Sequence, residues 1–205
     1  MRDFLANGAL LDAFLIIPPA DDPLHEAAEV SRLCRTGLRW EWDGVSFEVL
    51  HPADASYDEP RRKQNDRSCV LRVATPGASM LLTGDVEARS ESEMLARGAS
   101  ALRSDVLLVP HHGSRTSSTE RFIDAVAPAL VVNSLGYRNR FGHPHEVVAR
   151  RYLDRRLQVR RTDHEGALRV VLPAAMGPRI EPIAPAARYW SDRFPKNGVR
   201  PQYPE

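Results

Sequence analysis

The stretch SDVLLVPHHGSRTSS, residues 104–118, decides the fold. Its first part, DVLLVP at 105–110, is short and wholly apolar, which predicts a strand buried on both faces. The pair His111 and His112 follows at the strand end, backed by Gly113 and Ser114. A histidine in that place can turn its ring toward a metal, or it can simply cap the strand end with backbone hydrogen bonds. The neighbourhood weighs between the two. Residues 119–126 predict a helix, with Ser117, Ser118 or Thr119 as N-cap and Pro128 beyond its end. Residues 130–134 predict another buried strand, and 144–156 a helix with Pro144 in its first turn.

Working back from 104, residues 87–102 have helical composition, with Val86, Met94, Leu95 and Leu102 for a buried side. Before them, 68–74 and 79–83 predict strands around a Pro76–Gly77 turn, the second ending at Gly84 and Asp85. Residues 38–50 alternate around Asp43–Gly44, the dipeptide that two-residue hairpins favour. The polar stretch 53–67, with Arg61, Arg62 and Lys63, reads as a flexible loop, and 18–31 as a loop entering a short helix. Towards the other end, 158–162 and 167–172 read as a second hairpin around DHEG, and from Pro173 onward Pro, Gly and Arg predict a poorly ordered tail. Strands alternate with helices through the middle, so the class is α/β or α+β.

Composition narrows the functions. The chain has 205 residues, 28 Lys plus Arg against 27 Asp plus Glu, a formal charge of +1 and 42% apolar residues. This is a soluble globular profile, without the charge of a uniformly basic coat protein. No apolar run approaches membrane-spanning length, and the run at 9–17 carries Asp12 and no basic lead, unlike a signal peptide. Two cysteines, Cys34 and Cys69, are too few for a disulfide framework and lack metal-pair spacing. Eight arginines between 138 and 161 face only Glu146 and Asp154, either a phosphate track or a solvated helix face.

The polar residues that follow strand ends form a set. TGD at 83–85 supplies a carboxylate, HHG at 111–113 two imidazoles, and FGHPH at 141–145 two more. Imidazole plus carboxylate suits zinc, manganese or iron, and strand ends are where such folds build sites.

This set, in this order, resembles the metallo-β-lactamase-like domain of ComEC-type DNA-internalization proteins. The stretches that carry the resemblance are WEWDGVSFEVLHP (40–52), QNDRSCVLRV (64–73), LLTGDVE (81–87), residues 104–118, NSLGYRNRFGHPH (133–145) and RRTDHEGALRV (160–170). It implies an α+β fold, an αββα sandwich. It implies that Asp85 binds the metals, and that the HHG element adds a ligand, His112 before His111. His143 would face substrate phosphate as general acid or oxyanion donor. Ser114 and Arg115 would hold a phosphate, with Asn65 and Ser68 at the site rim and His145 beside them. Thr162 and Asp163 match the pattern too, either for the site or to hold the neighbouring loop.

The family's first metal motif, an Asp-His-x-Gly-Gly type of sequence, has no counterpart before residue 40, where the one histidine is His25 in PLHEAA. The expectation is therefore a sandwich incomplete at its N-terminal half: 1–33 a partial segment, 34–172 the domain, 173–205 the tail. The resemblance implies a part in DNA uptake, metal-dependent phosphodiester hydrolysis with zinc or manganese, DNA and a membrane-channel portion as partners, and no small-molecule cofactor. A catalytically inactive fragment or a DNA-binding remnant is the alternative, and a lactonase or thioesterase fits the paired motifs less well. A full-length protein would sit in the inner membrane, and this chain alone in the cytoplasm.

Overall fold

Asp43 and Gly44 both take positive φ, 52° and 73°, the two-residue turn that matches the twist of flanking strands. They join β1 (Arg39–Trp42) to β2 (Val45–His51) with Trp40 opposite Phe47. The hairpin opens a computed structural model that describes residues 33–183. The expected helix after residue 18 and His25 lie outside the described residues.

β3 (Val70–Ala74) and β4 (Ser79–Leu82) continue the antiparallel run, with a register shift against β2 between Val49 and His51. The chain then changes habit. Helices α1 (Ala88–Gly98), α2 (Glu120–Val126) and α3 (Glu146–Asp154) alternate with β5 (Val106–Leu108), β6 (Leu130–Asn133) and β7 (Gln158–Arg161), which pair in parallel with β4 and with one another. The sheet order is β1 to β7 in sequence order. Crossovers between parallel strands are almost always right-handed, and here each one steps the same way along the sheet. All three helices therefore share one face, and Met94, Phe122, Ile123, Val126, Val148 and Tyr152 meet Leu81, Leu107 and Val131 in one core.

The expected α+β class is observed, and five local expectations are corrected. Residues 158–172 do not form a hairpin. β7 joins the main sheet beside β6, residues 162–165 are a single helical turn, α4 (Thr162–Glu165), and β8 (Leu168–Val171) pairs with β9 (Arg179–Pro182). β9 thus lies in the stretch expected to be tail. The loop 53–67 is organised rather than loose: the Arg62 side chain is 1% exposed, with Nη2 2.5 Å from Glu93 Oε2 of α1, while Nε donates to Asp66 O at 2.8 Å. Pro144 precedes α3, whose N-cap is His145. Lastly, Cys34 and Cys69 are joined in a disulfide, because β2 and β3 carry the start of β3 alongside the segment that leads into β1.

Candidate functional site

Register explains the site. β4, β5 and β6 run parallel, with Leu81 opposite Leu107 and Leu108 opposite Val132, so the loops after all three emerge at one edge. β3 is antiparallel to β4, with Leu71 opposite Leu82, which brings the segment before β3 to the same edge. Asn65, Ser68, Asp85, Glu87, His111, His112 and the loop 134–145 are neighbours for that reason.

Two hydrogen bonds tie the loops together. Thr83 Oγ1 donates to Leu108 O at 2.8 Å, and His111 N–H donates to Gly84 O at 3.0 Å. Asp85 N–H donates to Ser68 Oγ at 3.2 Å. Gly84 has φ +54°, and a Cβ there would stand 2.9 Å from Ser68 Cβ, so glycine is required for this approach. Gly113, at φ +83°, is as constrained: a Cβ would stand 2.7 Å from Pro144 Cβ. His145 N–H donates to Gly113 O at 2.8 Å, which joins HHG to GHPH.

His111 and His112 are consecutive left-handed residues, φ 47° and 55°, an uncommon state for residues with side chains. It sends their rings to different partners. His112 Nδ1 donates to Ser134 O at 2.7 Å. The proton on Nδ1 leaves the Nε2 lone pair open, and Nε2 lies 3.5 Å from Asp85 Oδ1. A ligand histidine held by a carbonyl on its other nitrogen is the usual arrangement at metal sites. His111 instead lies against Glu87 (Nδ1 to Oε1, 3.7 Å) and Asn65 (Nε2 to Nδ2, 3.4 Å). Burial works to raise the Glu87 carboxyl pKa, but Lys63, the Asn65 amide and His111 together hold it below its ordinary value. Glu87 is a site residue that sequence reasoning missed, although it stands two residues after Asp85 in the same quoted motif.

The remaining expected residues fall as follows. Ser114 Oγ contacts Thr116 Oγ1 at 3.1 Å, with Arg115 exposed beside it. The His143 ring centroid lies 6.2 Å from that of His111. Burial, then the facing imidazoles of His111, His112 and His145, push the His143 pKa below its ordinary value. Its Nδ1 is buried without a hydrogen-bond partner, as is Asn133 Oδ1 below it in the chain. His145 caps α3, with Nδ1 accepting from Val147 N–H at 3.2 Å. Thr162 holds the neighbouring loop, as one of its two readings had it: its hydroxyl donates to Leu135 O at 2.8 Å and accepts from Leu135 N–H at 2.7 Å. Glu91, fully buried, accepts from Ser118 N–H (2.5 Å) and Thr119 N–H (2.8 Å). It thereby caps α2 from α1 and fixes the loop after HHG.

Among the eight arginines between 138 and 161, Arg138 and Arg140 lie over aromatic rings, and five others meet acidic groups or backbone carbonyls. Arg150 pairs with Asp154, Arg155 with Asp124, Arg160 with Glu165 and Arg161 with Asp163, while Arg151 donates to Ser117 O and Ser118 O.

The chain is 38% identical over 155 residues to competence protein ComA of Neisseria gonorrhoeae, covering 76% of this chain and 22% of that protein. It is 37% identical over 164 residues to ComE operon protein 3 of Bacillus subtilis (75% and 20%), and 36% identical over 137 residues to recombination protein 2 of Haemophilus influenzae (67% and 16%). The chain belongs to the ComEC-type competence proteins. It spans about a fifth of the length of these curated relatives. No family model matches it. Two solved structures are similar at low scores. One is described as a metal-dependent hydrolase from Parabacteroides distasonis (12% identity, TM-score 0.43, 70% of this chain and 63% of that one). The other is described as a zinc-dependent hydrolase of the metallo-β-lactamase superfamily from Thermotoga maritima (15%, 0.33, 60% and 58%). Likenesses at this level carry no argument about activity. Among the described residues of the ComEC-type domain, no helix is long and apolar enough to cross a membrane.

Proposed function

We propose that this ComEC-type domain takes part in DNA uptake as the phosphodiester-hydrolysing portion of a longer inner-membrane protein, with DNA as substrate and a divalent metal, zinc or manganese, as cofactor. The observation that carries the reading is the pair Asp85 and His112. A carboxylate oxygen and an imidazole lone pair face each other at 3.5 Å, and the imidazole is oriented by Ser134 O. In this reading His143, Ser114 and Arg115 donate to phosphate oxygens, while Asn65 contacts Glu87 and His111, and Ser68 accepts from Asp85 N–H. The names of the relatives, a competence protein among them, support the biological setting.

The donors suit a metal in kind but fall short in number. A tight zinc site takes three or four protein ligands, and no group of three or more His, Cys, Asp or Glu able to hold a metal occurs among the described residues. The same shortfall favours a second reading, a DNA-binding module without catalysis of its own.

The test is metal content after loading with zinc or manganese, with cleavage of labelled DNA, for the wild-type chain and for Asp85→Ala and His112→Ala. The expected result is metal near one per chain and metal-dependent cleavage, both lost in each variant. A metal-free chain that binds DNA without cutting it establishes the second reading. A chain that does neither sinks both.

A further inference from the structure

The loop 136–143 is folded onto itself by one side chain. Asn139 Nδ2 donates to His143 O at 2.9 Å, and Asn139 Oδ1 accepts from His143 N–H at 2.8 Å. Asn139 N–H donates to Gly136 O, and Gly142 N–H to Asn139 O. On this fixed frame Tyr137 and Phe141 are 56% and 68% exposed. Each ring carries a guanidinium: Arg138 Cζ lies 5.1 Å from the Tyr137 centroid and Arg140 Cζ 5.0 Å from the Phe141 centroid. Phe141 in turn lies 6.0 Å from the His143 ring, inclined by 19°. From exposed Phe141 the rings thus lead to His143 and on to His111.

We infer that Tyr137 and Phe141, flanked by Arg138 and Arg140, are a stacking platform for the unpaired bases of single-stranded DNA, and that it delivers the strand to the His143 edge of the site. This rests on the reading of the site as one that acts on DNA. It adds that the strand is held unpaired, and by its bases. An exposed ring offers a base a π face, and a guanidinium on that ring supplies positive charge for the adjoining phosphate. Bases inside a duplex have both faces covered by their neighbours, so such rings select a strand that is already open. The arrangement needs no particular base, because every base has a face to stack.

Fluorescence anisotropy with chelator present separates binding from cleavage. Three labelled probes are used: an oligothymidylate of about 12 nucleotides, an abasic deoxyribose-phosphate oligomer of the same length, and a duplex. The wild-type chain should hold the oligothymidylate most tightly. Phe141→Ala should weaken that binding about 5- to 150-fold, the worth of one stacked base, while leaving abasic binding unchanged. Tyr137→Ala should act in the same sense, and Phe141→Trp should retain affinity. Equal binding of thymidylate and abasic probes, or tighter binding of duplex, overturns the platform and leaves the DNA reading standing. Binding of none of the three overturns both.

Discussion

Strands β1–β3 and strands β5–β7 belong to one sheet but bury their side chains by different means. At the parallel end, three helices cover one face, and Phe122, Ile123, Val126, Leu107, Val131 and Val148 are completely buried. At the antiparallel end, the cluster on the opposite face has three fully enclosed members, Cys34, Val49 and Leu71. Around them Leu38, Trp40, Phe47 and Val73 are half-buried, with Trp40 and Phe47 stacked across the hairpin at 4.9 Å. That end is clasped by the Cys34–Cys69 bridge and by buried polar groups such as Arg62 and His51. The comparison shows where the site gets its rigidity. Its loops spring from the close-packed end, and the clasped end contributes Asn65 and Ser68.

The largest effect tests the packed end. Phe122→Ala should cost about 4 to 5 kcal/mol and lower the urea midpoint of the whole domain, because α1, α2 and α3 all reach that core. An unfolding transition that splits in two would break the comparison, since it would make the ends independent. Next is the clasp. Opening a bridge across 35 residues should cost roughly 3 to 4 kcal/mol on the chain-entropy account. Hydrogen exchange with and without reductant should show the loss in β1–β3 first, with α2 and β6 still protected; uniform loss would blur the distinction.

The smallest effect reads the polar part of the clasp. His51 is completely buried, with Nε2 donating to Asp66 O at 2.9 Å. Burial first, then Arg97 and Arg62, bring its pKa down to about 4 from 6.5. A folded-state pKa below the unfolded one means that the unfolded chain binds the extra proton. Stability is therefore full above about pH 6.5 and falls as the pH drops toward 4. The loss between pH 7.5 and 4.5 should be roughly 2 kcal/mol from this group. Denaturant titrations of the wild type and His51→Gln should differ in acid slope by that amount, and identical slopes would remove His51 from the account.

What could be read in the sequence follows the range of each interaction. The hairpin at Asp43–Gly44, the buried strand before HHG and the starts of α1 and α2 rest on local signals, and they stand in the structure. The second hairpin failed because β7 alternates like a hairpin strand, while its partner is β6, chosen by tertiary packing. Arg62 reads as solvated in its basic run, and only the return of α1 brings Glu93 to it. That the strand-end residues share one edge was legible because parallel register gathers strand ends. Glu87 was not, because its role depends on His111 turning left-handed. The two cysteines carried no signal in their spacing, since only the fold makes them neighbours.

The bridge gives the domain a chemical history. Disulfides persist in oxidising compartments and are kept reduced by the thiol buffers of the cytosol. Cys34 and Cys69, the two cysteines of the chain, therefore make one sequence into two molecules. One matures under oxidation with β1–β3 stapled. The other, made among cytosolic thiols, has the same strands held by packing alone. The bridge makes the redox state of a preparation part of its identity.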